Sequence, residues 1–226
     1  MMTNVRRFLS VNWALTIFLN IYYLGIRRAF RFPLLFGYGT RIGSLGNRGC
    51  IDVAGNFGSL CFGLKREPFK LGDNINYWYI GKSSKIVICG TCRMAKGVRL
   101  KLFDNSCLTI GNHFTSNANL LISCANKVTF GSDCLLGWNI TIMDNDGGHT
   151  IIDKEIFVNS VKSKEVVIGN HVWIGAETSI LKGSVVGNGS IIGYNSFVCG
   201  LKAYTDDCLI LGSPAYVKRE KISWGH

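Results

Sequence analysis

Ile168, Ile174, Ile180, Val186, Ile192 and Val198 stand at strict six-residue intervals, a period that neither a helix nor an ordinary strand produces. A helix repeats its apolar positions near every 3.6 residues and an alternating strand near every 2. Gly follows four of these aliphatics directly, at Gly169, Gly175, Gly187 and Gly193, and Val172, Thr178, Ser184, Ser190 and Ser196 sit four places on from the aliphatics that precede them. A period of six arises when each hexapeptide forms one short face of a triangular coil, with the aliphatic side chain inside and a compact residue allowing the turn. Three hexapeptides then close one coil. Coils stacked about 4.8 Å apart as parallel strands bury a ladder that no single coil buries alone. The expected fold class is therefore all-β, a parallel β-helix.

Earlier coils index as Ile88, Met94, Leu100, then Ile110, Ser116, Ile122, then Phe130, Leu136, Ile142, their first members slightly more than three hexapeptides apart. From Phe130 to Ile168 the interval exceeds two whole coils. Setting one coil aside leaves about 20 positions to be extruded as a loop, roughly 143–165, and long loops on rigid scaffolds are where function tends to sit.

At 226 residues the chain has room for one well-buried domain and an appendage. Its 27 Gly, 3 Pro and 47% hydrophobic against 17% charged residues favour closely stacked backbone over disorder. The formal net charge is +11, and residues 1–48 carry seven Arg and no Asp or Glu. Such charge suits phosphates of a cofactor or an anionic membrane surface. Nucleic acid is not expected, because no recognition signature accompanies the charge. Residues 8–26 are apolar except for Asn12, Thr16 and Asn20, which recur every four residues on one helix face. With Arg6, Arg7, Arg27 and Arg28 at its ends, this helix fits packing against the domain or peripheral contact with a membrane better than a span. The expected organisation is a basic, apolar helical segment over 1–48, the β-helix over 49–213 and a short helical tail over 214–226.

The nine Cys are an odd number, and nothing resembles a signal-peptide cleavage site, so reduced thiols in a cytoplasmic setting are expected. Cys89 and Cys92 match CxxC spacing, but no second pair follows at zinc-site spacing, and small core packing is the preferred reading. No metal is expected.

The extruded loop contains Asp144-Asn145-Asp146-Gly147-Gly148-His149. A neutral imidazole can take a proton from an alcohol at neutral pH. Asp144 or Asp146 would fix its tautomer or hold a substrate hydroxyl. From this string alone, a solvated histidine beside two turn-forming acids is the favoured reading.

Ile168-Gly169-Asn170-His171-Val172-Trp173-Ile174-Gly175 and the terminal Gly212-Ser213-Pro214-Ala215, together with the repeat, resemble the hexapeptide-repeat acyltransferases over roughly residues 80–222. The resemblance implies left-handed coils, an exception to the right-handed crossover preference. It also implies a catalytic His in a loop ahead of the IGxxVWIG coil, a position held here by His149. Carried over by position, Asn117 binds the acceptor and Trp173 walls the site. Gly175, Ala176 and Tyr194 lie along coenzyme A, and Arg219 stands near its phosphates. The last coil, Ile192-Gly193-Tyr194-Asn195-Ser196-Phe197-Val198-Cys199-Gly200, lacks the family's Thr-Lys pair, and Lys202 is the positional substitute. The implied protein is an acetyl-CoA-dependent O-acetyltransferase, a homotrimer with sites at subunit interfaces. Its expected acceptor is a sugar of a surface polysaccharide or its lipid-linked precursor, reached from the cytoplasm at the inner face of the membrane. N-acetylation of an amino sugar, or a non-catalytic scaffold, are the alternatives. The γ-class carbonic anhydrases share the repeat, but their closely spaced His pair is missing; His113, His171 and His226 read as structural or solvated.

Overall fold

In the computed structural model, residues 9–65, 75–147, 149 and 162–225 are described. Their strands form three sheets that are the faces of one triangular stack. Face I has nine strands, from Leu34–Phe36 to Ala215–Arg219. Face II has seven, from Thr40–Leu45 to Phe197–Cys199, and face III has seven, from Ile51–Val53 to Lys202–Ala203. Up to Leu209–Gly212 the chain visits the faces in the order I, II, III, and each strand pairs in parallel with its counterpart one coil away. This is a parallel β-helix.

The inward ladders are those the hexapeptide indexing predicts. Ile88, Ile110, Phe130, Ile168 and Val186 are in register on face III. Met94, Ser116, Leu136, Ile174 and Ile192 align on face I, and Leu100, Ile122, Ile142, Ile180 and Val198 on face II. All are buried. The glycine that follows an aliphatic serves close approach between coils more than turning. A Cβ on Gly175 would lie 2.7 Å from the Tyr194 nitrogen, and one on Gly169 2.8 Å from the Asn188 nitrogen. The left-handed backbone at the corners falls instead on residues such as His171 (φ 53°), Glu177 (φ 61°) and Asn195 (φ 54°).

The stack begins earlier than residue 49. Leu34–Phe36 pairs with Leu60–Phe62, and Thr40–Leu45 with Asn76–Ile80. Register shifts between Ile42 and Ser44 and between Phe62 and Lys65 break the six-residue count there. The interior filling is aromatic: Trp78 meets Phe36 and Phe62 edge-on, with ring centroids 5.2 and 5.0 Å away.

Helix Trp13–Ala29 lies across the open end of this first coil, with Asn12 as its N-cap accepting from the Leu15 N–H at 3.2 Å. It docks through its polar stripe. Thr16 Oγ1 accepts from Phe36 N at 3.1 Å; Asn20 accepts from Leu34 N at 3.2 Å and donates to Leu34 O at 2.7 Å. These side chains satisfy the free edge of face I, which an exposed strand would otherwise offer to another chain. Tyr23 donates to Leu45 O, Tyr22 to Gly46 O and Arg28 to Val53 O, so the helix ties together the first strands of all three faces. Burial pushes the Tyr23 phenol well above its usual value, and its oxygen accepts from Trp78 Nε1 at 2.9 Å. Among the described residues no helix is long and apolar enough to cross a membrane.

At the other end, the expected helical tail is a strand. Ala215–Arg219 folds back antiparallel onto Leu209–Gly212, the only antiparallel strand pair among the described residues. The reason lies in the exposed face I edge at Leu209–Gly212, which offers the tail a row of backbone partners that a helix would leave unpaired.

Candidate active site

The interruption predicted at 143–165 leaves the stack where face II turns into face III, after Thr141–Met143 and before Val166–Ile168. Residues 148 and 150–161 of that loop lie outside the described residues; its root does not. Asp144 is completely buried. Its carboxylate accepts from the N–H groups of Ala125 and Asn126 at 2.7 and 2.8 Å, from Asn145 Nδ2 at 3.0 Å and from the Cys124 thiol at 3.6 Å. Burial, and then the Asp144 carboxylate itself, push the Cys124 thiol up, which keeps it a donor. Asp144, expected to hold substrate, is therefore an anchor fastening the loop to the corner of the coil above. With four donors on a buried carboxylate, it has nothing left to offer an acceptor.

Asn145 completes the anchor by donating to the Ser123 carbonyl at 3.0 Å. The two arms of the loop then pair briefly, Asp146 N to Lys162 O at 3.1 Å and Lys164 N to Asp144 O at 2.9 Å. Asp146 is held by an ion pair with Lys182, both side chains about three-quarters buried. Gly147 takes a left-handed backbone (φ 68°) and turns the chain. His149 follows it, exposed, with its N–H 3.4 Å from the Asp146 carbonyl. Lys182 is a residue that sequence reasoning misses; its signal is a lone cation at a corner directly below the loop, between Leu181 and Gly183.

The other expected residues lie on face I or where it turns into face II. Asn117, Ala176 and Tyr194 lie on that corner, Asn117 two levels above Ala176 and Tyr194 one level below it, joined through backbone bonds from Asn117 N to Leu136 O, Gly137 N to Ile174 O and Gly175 N to Ile192 O. Asn117 is half-buried and Tyr194 is 71% exposed. Trp173 points out from face I, 41% exposed, in register with Leu135 and Ile191. Arg219 is exposed on the last strand of the same face. A further aromatic, Trp224, stands 6.1 Å from Trp173. It stacks on His171 at 4.1 Å and donates to the His171 carbonyl at 2.9 Å. Lys202 is on face III, paired opposite Val185, so it belongs with Lys182 and the loop rather than with Trp173.

One chain thus divides the expected residues between the two edges of face II. His149, Asp146, Lys182 and Lys202 are on one edge, and Asn117, Ala176 and Tyr194 are on the other. A three-residue strand, about 10 Å, separates them. The outward residues between the edges are uncharged: Leu121, Thr141, Met143, Ser179, Leu181 and Phe197. Higher on the same face, Arg41, Arg99 and Lys101 point outward instead. Cys89 is exposed and Cys92 buried in the core, which removes the CxxC pair as a joint ligand set. Among the described residues no group of three His, Cys, Asp or Glu could hold a metal ion.

The profile "Bacterial transferase hexapeptide (six repeats)" matches residues 165–200. The putative lipopolysaccharide biosynthesis O-acetyl transferase WbbJ of Escherichia coli is 30% identical over 128 residues, 54% of this chain and 64% of that protein. The polysialic acid O-acetyltransferase of Neisseria meningitidis is 33% identical over 129 residues, 50% of this chain and 58% of that protein. The chain therefore spans less than two-thirds of the length of these curated relatives. Among solved structures, the polySia-specific acetyltransferase NeuO superposes with a TM-score of 0.52 at 27% identity, over 67% of this chain and 73% of that one. The polysialic acid O-acetyltransferase OatWY gives 0.50 at 29% identity, over 67% and 77%.

Proposed function

We propose that this chain, a hexapeptide-repeat protein with the left-handed β-helix fold, is an acetyl-CoA-dependent O-acetyltransferase that modifies a hydroxyl of a surface polysaccharide or of its lipid-linked precursor. The observation that carries this reading is the placement of His149 on a loop whose root is anchored through the buried Asp144 carboxylate, at the edge of the uncharged part of face II. The likeness to WbbJ and to polysialic acid O-acetyltransferases supplies the reaction and the acceptor class.

Acetyl-CoA supplies the acetyl group as a thioester. His149 takes the proton of the acceptor hydroxyl as the hydroxyl oxygen bonds to the acetyl carbon, and gives that proton to the thiolate that leaves when the carbon–sulfur bond breaks. Asp146, held by Lys182, sets the backbone from which His149 projects. The residues of face I and of its corner with face II fit a long, flat cofactor arm: Gly175 carries no side chain, Ala176 is small, Trp173 and Tyr194 offer exposed ring faces, and Arg219 provides a cation for phosphate. Since one chain carries these two sets on separate edges, a complete site takes one edge from each of two copies. Three copies packed through the uncharged part of face II form three such sites around a threefold axis. The chain then works in the cytoplasm, at the inner face of the membrane that carries the acceptor.

The test is acetyl-CoA consumption, followed by loss of thioester absorbance, across a panel of polysaccharides and amino sugars. Thioester absorbance is preferable to a thiol reagent because Cys89 and Cys199 are exposed. His149→Ala is expected to lower turnover at least about a hundredfold while coenzyme A binding persists. A fully active His149→Ala protein sinks the assignment; turnover with amines alone replaces O-acetylation by N-acetylation.

A further inference from the structure

The N-terminal helix is apolar on two sides: Leu19 and Tyr23 are buried in the core beside a polar stripe, and a second apolar line faces solvent. Its polar residues Thr16 and Asn20 are buried against the stack. Its solvent-facing line is Ala14, Ile17, Phe18 and Ile21, at the i, i+3, i+4, i+7 spacing of a single stripe, up to the kink where Gly25 leaves helical geometry (φ 71°). Ile17, Phe18 and Ile21 are 44%, 51% and 46% exposed, and beyond the kink Ile26 and Phe30 are exposed at 65% and 76%. In a helix that only caps a solenoid, the outer stripe would carry charge, as terminal caps do. Here the stripe has none, and an apolar surface of this kind rimmed by polar residues marks an interaction site.

The rim is cationic. Arg27, Arg28, Arg31, Arg41 and Arg48 are all exposed around the cap, and the first acidic residue of the chain is Asp52. An apolar stripe bordered by arginines, on a helix that cannot cross a bilayer, matches the requirements for lying in the interface of an anionic membrane: acyl chains for Ile17, Phe18 and Ile21, and lipid phosphates for the guanidinium groups. A second copy stacked cap to cap would set two groups of five arginines against each other, so charge selects the membrane over self-association.

We infer that the outer face of helix Trp13–Ala29, with its arginine rim, docks the end of the β-helix onto an anionic lipid bilayer, so that the stack stands upright on the membrane. This inference rests on the cap and not on the acetyl-transfer reading. If three copies assemble side by side, their caps face the same way, and three weak insertions add to one firm attachment. The coils carrying His149 are then held at a fixed height above the lipid headgroups.

The test is flotation of the full chain with phosphatidylcholine vesicles, with and without about one-third phosphatidylglycerol, in the absence of acetyl-CoA. The protein is expected to float with the anionic vesicles and to be released by about 0.5 M salt. Phe18→Ser with Ile21→Ser, and separately Arg27→Gln with Arg31→Gln, are each expected to lower the partition coefficient at least about tenfold. Circular dichroism should show an unchanged fold, since all four side chains point to solvent. Absence of flotation, equal flotation on neutral vesicles, equal flotation of both variants, or a doubled assembly size without vesicles that is lost in Phe18→Ser with Ile21→Ser would each overturn the inference. Since no acetyl donor is involved, failure here leaves the His149 assignment standing, and failure of that assignment leaves this one standing.

Discussion

In the lower coils Ile174, Ile180 and Val186 fill successive faces of the interior, and the same positions recur one coil later as Ile192, Val198 and, in face III after a shortened turn, Ala203. In the upper coils the corresponding places are taken by Phe36, Phe62 and Trp78, and the stretches from Phe36 to Phe62 and from Phe62 to Met94 are both much longer than three hexapeptides. The lower coils are interchangeable parts, each held by neighbours like itself. The upper coils end the stack and have no neighbour above. They substitute a few large aromatic contacts and a docked helix for the missing coil. Cooperative stability is therefore expected to concentrate in few side chains at the top and to be spread over many below.

The sharpest way to break that contrast is Trp78→Ala. Trp78 is 1% exposed, lies edge-on to both Phe36 and Phe62 and donates to Tyr23, so its removal opens a cavity and unties the cap from the core. A loss of about 3–5 kcal/mol in urea unfolding is expected. A loss near 1 kcal/mol would mean that the aromatic cluster is not the keystone of this end. The second test is Asn20→Ala. It leaves the buried Leu34 N–H and C=O without partners and should cost about 1–3 kcal/mol. Amide exchange at Leu34 and Phe36 should accelerate while exchange at Ile174 and Ile180 stays as it was.

How legible each region is follows from the same difference. Between Ile88 and Val198 one inward residue per hexapeptide can be read from the sequence, because a stack of similar coils writes its period directly into the chain; inward neighbours such as Leu108, Val128 and Cys124 lie outside that count. Above Tyr77 the period is lost: the register shift between Ile42 and Ser44 adds a residue to one coil and not to its neighbour, and aromatic residues replace aliphatics inside. The polar stripe of Asn12, Thr16 and Asn20 is visible, but which face of the helix is buried is not. Hydropathy cannot choose between two apolar sides, Leu19 and Tyr23 or Ile17, Phe18 and Ile21, and the unpaired edge of Leu34–Phe36 decides by offering hydrogen bonds to the polar stripe beside the first. At the site, the extruded loop and His149 are readable from the coil count. The roles of Asp144 and Lys182 are not, since both depend on which corner lies one coil above or below. The strand at Ala215–Arg219 is likewise invisible, for its partner is an edge created only by the fold.

The smallest effect belongs to the lower coils. Ile180→Val removes one methylene from a side chain that is completely buried and stacked in register between Ile142 and Val198. The loss expected is about 0.5–1.5 kcal/mol, because the rungs above and below retain their own contacts and the void is smaller than a water molecule. If the repeats are interchangeable, Ile174→Val and Ile192→Val should fall in the same interval, as both sit in equivalent rungs of face I. Three similar values, each well below that for Trp78→Ala, would sustain the contrast between a repetitive stack and a specialised end. A single outlier among the three would instead identify a rung that carries an additional load, and Ile174 is the one to watch, since it adjoins Trp173 on the face that Trp224 folds across.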